Sequence, residues 1–338
     1  MRELVKELWK ICFPDDSDEF VDLYFNSRYT DDINSAVVEH GRVVSALQRI
    51  PYPMQFMNTV IPVAYISGAC THPDFRSKGL MSGLLDEAHR KMYADGKFLS
   101  LLIPANEGLV GYYARSGYEV CFRQESRLLT ASCKTVDNLA AGLVFKELDL
   151  QKSEFTGECD FINQQLSMYT AGVLHPLHDI RIVLSDLLLS GGQAWAAYDK
   201  NGGLYALALL IVADGHMLVK ELVSTDAQSE SAMLSFLFSH YSVSEAVKPS
   251  PCGMVRVINA CRMLETLACS MDGDSIVEIY GDNVLPDNNG VYFISGGRCR
   301  KAESHDCIAD AECLRMHIND MPSWLFRNMK PYMSLMLD

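Results

Sequence analysis

Arg76-Ser77-Lys78-Gly79-Leu80-Met81 lies directly between a strand-like run, Val63 to Thr71, and a helix-like run, Leu80 to Met92. A loop that ends a strand and opens a helix turns successive backbone N–H groups, and the positive end of the helix dipole, toward one point. That point suits a phosphate. Gly79 leaves no Cβ in the path of a pyrophosphate, and Arg76 and Lys78 bring positive charge to the rim. The spacing is not that of a Walker loop, nor of the dinucleotide fingerprint G-x-G-x-x-G. By itself the hexapeptide reads equally well as a turn and a helix N-terminus carrying two solvated basic residues.

A second group follows. Phe98 to Ile103 is a short apolar strand, and after Pro104-Ala105-Asn106 a helical stretch ends at Tyr112-Tyr113-Ala114-Arg115-Ser116-Gly117-Tyr118. A phenol can donate a proton or a hydrogen bond to a developing anion. The alternative for Tyr113 is a helix residue packing its ring in the core.

Arg76-x-x-Gly79 after a strand, with Asn106 and Tyr113-x-x-x-Gly117-Tyr118 after the next one, resembles the acyl-CoA loop and the Asn…Tyr-x-x-x-Gly-Phe signature of the GNAT N-acetyltransferases. Met81 stands where most of that superfamily has Gly or Ala, although the Eis-like branch looks similar, with Leu or Met after the Gly. The resemblance implies an acetyl-CoA-dependent N-acetyltransferase in which a primary amine attacks the thioester directly in a ternary complex. It assigns Ala69, Cys70 and Thr71 to the pantetheine arm and the thioester carbonyl. Arg76, Ser77, Lys78, Gly79, Leu80 and Met81 fall to the pyrophosphate, Asn106 to the arm or a bound water, and Tyr113 to the general acid. No metal is implied.

Elements able to position these residues can be read along the chain. Strands around Ala36 to His40 and Arg42 to Ile50, split by Gly41, precede the loop, and a strand from Glu119 to Leu129 closes the unit. The plan then recurs in degraded form through Gln193 to Tyr198, Leu204 to Ala213, Met217 to Val223 and a helix reaching Tyr241. Aligning the two loops sets Ser229 against Arg76 and Ala232 against Gly79, so the second copy has lost its phosphate chemistry. From Pro249-Ser250-Pro251 the texture changes, with short strands at Ser275 to Tyr280 and Gly290 to Ser295. Met254-Val255-Arg256-Val257-Ile258 and Pro331-Tyr332-Met333-Ser334-Leu335-Met336-Leu337 are similar to the start and end of the sterol-carrier-protein-like domain of the Eis group. The implied fold class is α/β (α+β): tandem GNAT folds, the second degenerate, then a small sterol-carrier-protein-like α+β domain. The expected divisions are 1–131, 132–250 and 251–338.

Composition bounds the rest. A chain of 338 residues with 49% apolar content has room for two or three cores. The longest apolar run, Leu204 to Ala213, is too short to cross a bilayer, and Met1-Arg2-Glu3-Leu4 lacks signal-peptide architecture, so a cytoplasmic location is expected. Eleven cysteines without a C-x-x-C pair argue against a disulfide framework or zinc site, and they are expected to be reduced and mostly buried. His175-Pro-Leu-His178 reads as an ordinary loop. With 29 basic against 43 acidic residues, the formal charge of −14 argues against nucleic acid and is compatible with a cationic substrate such as an aminoglycoside-like, polyamine or lysine amine. Asp16-x-x-Glu19 reads as a capping box for the helix that follows. No membrane partner is expected, and the resemblance implies a homo-oligomer, possibly a hexamer.

The chain is apolar from Tyr332 to Leu337, which predicts that this segment docks into the body of the protein. The Eis resemblance then gives the carboxylate of Asp338 the task of accepting the amine's proton. The competing class is a CoA- or lipid-binding protein without catalysis, in which the last domain is the working part.

Overall fold

In a computed structural model the described residues are 1–123, 126–130, 142–152, 154–249, 252–269, 273–303 and 313–337. Helices α1 (Arg2–Cys12) and α2 (Asp18–Ser27) precede β1 (Asn34–Glu39), β2 (Arg42–Phe56), β3 (Thr59–Thr71), α3 (Leu80–Ala94), β4 (Leu99–Leu102), α4 (Val110–Ala114) and β5 (Glu119–Arg123). Next come β6 (Arg127–Thr130), β7 (Val144–Glu147), α5 (Thr156–Leu166), β8 (Ala171–Val173), α6 (Leu177–Leu189), β9 (Gln193–Tyr198), β10 (Leu204–Ala213), β11 (His216–Ser224), α7 (Ala227–Tyr241) and β12 (Glu245–Lys248). The rest is β13 (Cys252–Val257), α8 (Ala260–Ala268), β14 (Ser275–Tyr280), β15 (Gly290–Ser295), β16 (Arg298–Lys301), β17 (Cys313–His317), α9 (Met321–Phe326) and β18 (Pro331–Tyr332). The fold is mixed α/β, as the alternation of strand and helix patterns implies.

Three sheets organise these elements. The first runs β18-β8-β2-β3-β4-β13-β5, with β1 also on β2; the second runs β6-β12-β11-β10-β9-β7; the third runs β16-β15-β14-β17. Sheet membership does not follow the expected divisions at 131 and 250. The strand expected from Glu119 to Leu129 is two strands. Glu119–Arg123 pairs with β13 in the first sheet, and Arg127–Thr130 pairs with β12 in the second. In return, Cys252–Val257 leaves the third region and inserts between β4 and β5, antiparallel to both. The residue alternation of these segments marks them as strands, but pairing partners more than 100 residues away are a property of the packed chain alone.

Arg256 explains why β13 seats there. Its guanidinium donates to the Ser116 carbonyl and to Asp282, both at 2.9 Å, and both charged side chains of the pair are buried. Asp282 also accepts the N–H groups of Val284 and Leu285 and the amide of Asn288. Gly117, with φ +85°, must be glycine for a second reason: a Cβ there would stand 1.9 Å from Arg256 Nη1. A comparable buried junction ties α6 to the first sheet, where Asp179 takes Arg28, the Tyr52 hydroxyl at 3.0 Å and His175 Nδ1 at 2.6 Å. His175, expected in an ordinary loop, is therefore a fully buried anchor. Burial and then the nearby Arg28 push its imidazole down to about 4, which keeps it neutral at physiological pH.

Two smaller expectations change. Ser17, not Asp16, caps α2 by accepting the Phe20 N–H, while Asp16 accepts the Trp9 indole N–H at 2.7 Å. Among the nine described cysteines only Cys70 and Cys159 are buried, and Cys252 and Cys269 are exposed. Half-buried positions suffice for small thiols on elements whose outer faces meet solvent. Among the described residues, no helix is long and apolar enough to cross a membrane.

Breaking the Arg256–Asp282 pair leaves a buried carboxylate without its cation. Arg256→Ala should lower stability by about 3–5 kcal/mol, read as a fall in the urea midpoint. A loss of no more than about 1 kcal/mol, the range of exposed pairs, would show that this ion pair does not hold β13 in the first sheet.

Candidate active site

β3 and β4 are parallel neighbours for only three residue pairs, Val63↔Leu99, Ala64↔Ser100 and Tyr65↔Leu101. β4 stops at Leu102, whereas β3 runs on to Thr71. The two strands part because β3 is bulged: between Ala46 and Gln48 its register with β2 slips, and Gly68 takes φ +58°. A Cβ on Gly68 would meet the Trp9 ring at 2.2 Å and Gln48 Oε1 at 2.4 Å, so glycine is needed for close approach as well as for backbone sign. An isolated glycine inside a strand pattern was the available signal for this bulge.

Beyond the bulge β3 keeps its pairing to β2 on one side. His72 N–H donates to Val44 O at 2.9 Å, and Ser45 Oγ donates to Cys70 O at 3.2 Å. Alternation along the strand turns the backbone of Ala69 and Thr71 the other way, toward the gap left by β4. Thr71 O accepts Arg76 Nε at 3.1 Å from that side. Of the three strand-end residues singled out in the sequence, Ala69 and Thr71 face the gap with their main chain, and Cys70 faces β2.

The loop beyond β3 supplies the rim. Ser77 and Gly79 both have left-handed backbones, φ +62° and +77°, a geometry that gathers N–H groups into a concavity. Helix α3 begins immediately after Gly79 with no side-chain cap and no acidic residue in its first turn, so no carboxylate of that turn offsets its positive end. Space in front of Gly79 is open, with no atom within 4 Å of a notional Cβ. Arg76 and Lys78 are exposed, and Lys78 Nζ rests 4.3 Å from the Phe75 ring centroid. Leu80 and Met81 are half-buried, and Met81 packs on the cluster formed by Leu84, Leu85, Leu102 and Tyr113. Its side chain is thus engaged with the core beneath the loop.

Tyr113 sits on α4 in that same cluster, 8% exposed, with the Tyr112 and Tyr118 ring centroids 5.3 and 6.0 Å away. Tyr118 is a structural residue: its hydroxyl meets Ser100 Oγ at 2.6 Å and His89 Nε2 at 3.0 Å, and burial pushes its phenol up. The Tyr112 hydroxyl reaches Ser82 Oγ on α3 at 3.3 Å. Asn106 is exposed at the head of the single turn after β4. Asp338 lies outside the described residues, but the segment leading to it is docked: Tyr332, Met333 and Leu337 are all buried.

Sequence reading passed over Cys12. Its thiol, hydrogen-bonded to Cys70 and close to the Arg76 guanidinium, is pushed down to about 7, while Cys70 is pushed well above the ordinary thiol value by that bond and by burial. Cys12, Cys70 and Arg76 therefore meet where β3 delivers the loop.

The second sheet repeats the geometry without the chemistry. β11 and β12 are parallel only at Met217↔Ala246 and Leu218↔Val247 before parting. The two loops do not align as expected, however: α7 starts at Ala227, so Ser229 and Ala232 are helix residues rather than loop residues. The Asp226 carboxylate accepts the N–H groups of Gln228 and Ser229 at 2.9 and 2.8 Å, and the end of α7 is satisfied from within. At the gap, buried Glu221 receives Lys248, Ser334 and the Tyr332 hydroxyl.

A bulged strand parting from its parallel neighbour above an uncapped helix end coincides with a family match. Residues 2–121 fit the family model described as acetyltransferase (GNAT) domain. This segment is similar to a GNAT domain. Over the whole chain the fold is shared with a GCN5-related N-acetyltransferase from Anabaena variabilis ATCC 29413, at 14% identity and a TM-score of 0.77, covering 95% of this chain and 86% of that one. A probable N-acyltransferase from Enterococcus faecalis V583 matches at 16% identity and a TM-score of 0.74, covering 96% and 87%. Eis1 from Mycobacterium abscessus matches at 11% identity and a TM-score of 0.70, with the same coverages of 96% and 87%. No curated protein matches the sequence.

The lowered Cys12 thiol is directly measurable. Its alkylation by iodoacetamide, followed by peptide mass spectrometry, should reach half its maximal rate near pH 7, against about 8.5 for a free thiol. Arg76→Ala should move that midpoint upward; an unshifted midpoint would mean that the guanidinium does not act on Cys12.

Proposed function

We propose that the protein transfers an acetyl group from acetyl-CoA to a primary amine, with the gap between β3 and β4 as the site of transfer. The observation that carries this reading is the coincidence of parted parallel strands with an uncapped α3 N-terminus flanked by Arg76 and Lys78. When bound, acetyl-CoA supplies an acyl group already activated as a thioester.

The chain's own residues fit that cosubstrate. The N–H groups of Ser77 to Met81 and the charges of Arg76 and Lys78 hold the pyrophosphate, Arg76 exchanging its bond to Thr71 O for one to phosphate. The main chain of Ala69 and Thr71 bonds the pantetheine arm and polarises the acyl carbonyl, and Asn106 steadies the arm from the opposite lip. Tyr113 Oη donates its proton to the departing sulfur. The incoming amine gives up its proton to the carboxylate of Asp338, the chain neighbour of Leu337. Holding amine and thioester together in one cleft contributes to rate through orientation, with effective molarities of about 10⁵ M in favourable cases. The last region of the chain, with its four-stranded sheet, is read as the sterol-carrier-like part of the same architecture.

Acetyl-CoA at about 100 times its Kd should add about 2.7 kcal/mol of stability by mass action, visible as a rise in Tm. Arg76→Glu should abolish that rise. Asp226→Ala should cost about 0.5–2 kcal/mol as a lost helix cap yet preserve the rise, because the second gap takes no cofactor. A rise that survives Arg76→Glu would move the site elsewhere. Tyr113→Phe should keep acetyl-CoA affinity while lowering kcat by about 10²-fold. Wild-type turnover in that variant would return Tyr113 to a packing role, and a protein that binds acetyl-CoA yet releases CoA to no amine would be a binding protein instead.

A further inference from the structure

Where β4 ends, a cavity of about 280 Å³ opens between the first and second sheets. Ile103, the residue after β4, forms one wall; Val183, Asp186 and Leu187 of α6 form a second; Leu209 and Lys220 close it from β10 and β11. The docked segment Ser334 to Leu337 completes it. At about 30 Å³ per water in the liquid the space equals roughly nine waters, below the usual size of a pocket for a drug-sized ligand. Asp186 and Lys220 are the charged residues of this lining.

We infer that this cavity is the acceptor pocket, and that it takes a primary monoamine on a compact apolar body, its ammonium paired with Asp186, rather than a polycation. The inference rests on the acyltransferase reading above and narrows its amine. Among the described residues the Asp186 carboxylate makes no hydrogen bond and no direct ion pair, although it is half-buried among aliphatic side chains. Burial pushes its carboxyl up, Lys220 and Arg28 offset this only in part, and Asp16 adds a smaller upward push. A carboxylate left in that state gains from a cation brought to it, and an ammonium at the end of an apolar body replaces lost hydration on both groups.

Lys220 excludes the alternative. A second or third ammonium on a polyamine or aminoglycoside would have to pass this cation or remain in the mouth, where the described lining holds no carboxylate besides Asp186. The formal charge of −14 attracts cations of every kind over the whole surface, but exposed charges beyond about 8–10 Å are screened at physiological salt. Selection therefore falls to the pocket. Ile103 places it at the carboxyl end of β4, the strand that borders the gap.

The test compares CoA release with phenethylamine and hexylamine against spermidine and kanamycin, alongside direct binding of phenethylamine to the CoA-bound protein by calorimetry. The monoamines should have kcat/KM at least about ten-fold higher, since a hydrogen-bonded charge contributes about 1.5–3 kcal/mol. Asp186→Asn should weaken phenethylamine, in KM and in calorimetric Kd, by about ten-fold or more while leaving the acetyl-CoA Tm rise intact. Lys220→Glu, at an exposed position, should improve use of spermidine. A wild-type preference for spermidine or kanamycin, or phenethylamine binding unaffected by Asp186→Asn, would overturn the inference with acyl transfer still standing. Absence of any acetyl-CoA Tm rise would overturn both.

Discussion

Strand β13 is the constraint on which the site depends. By lying between β4 and β5 and pairing with β4 from Leu99 to Leu102, it fixes one edge of β4 for its full length. The other edge meets β3 for three residue pairs only. β3 in turn is held to β2 through its bulge and beyond. Each strand is thus anchored on its far side, and the gap between them persists although two sets of backbone donors and acceptors face each other across it. Unpaired main-chain groups are tolerated where water or a ligand can reach them, and such a gap is a place prepared for an extended polar molecule.

The same anchoring explains why charge is buried so far from the chemistry. Arg256–Asp282 and Arg28–Asp179 each join segments distant in sequence; the Ser116 carbonyl also accepts from Arg256, the Tyr52 hydroxyl donates to Asp179, and the Tyr52 ring lies against Arg28. Isolated buried ion pairs add little net stability, since desolvation offsets attraction, but a mispaired arrangement would leave a bare charge inside. These junctions therefore specify arrangement. Arg256–Asp282 favours the seating of β13 in the first sheet.

Comparison of the two sheets shows how similar strand geometries differ at the helix end that follows. Both have a strand that bulges, parts from a parallel partner and leads into a helix. In the first, the helix end is uncapped and the rim is basic; in the second, Asp226 supplies the negative charge from within the chain and Glu221 recruits Lys248 and the terminal segment into the gap. The difference needs few substitutions, because an N-cap carboxylate and a bound phosphate compete for the same N–H groups.

By itself the sequence determined the elements and the loop chemistry. The apolar runs from Val63 to Thr71 and Leu204 to Ala213, the glycine at 79 between a strand and a helix, and the basic residues just before it are local features, and local backbone preference with solvent-facing charge is enough to read them. Docking of Tyr332 to Leu337 was also legible, since six largely apolar residues have no stable place in water. What only the tertiary structure decided was partnership. The apparent single strand from Glu119 to Leu129 divides between two sheets, Cys252–Val257 crosses to complete the first one, and Asp16 serves Trp9 rather than a helix cap. Asp186 carries no motif at all: an aspartate on an amphipathic helix is ordinary until distant residues, Ile103, Leu209 and Leu335, enclose it. Sequence spacing encodes what a residue does to its neighbours within a few positions, whereas burial, and with it the strength of every charge, is set by segments that meet only when the chain has folded.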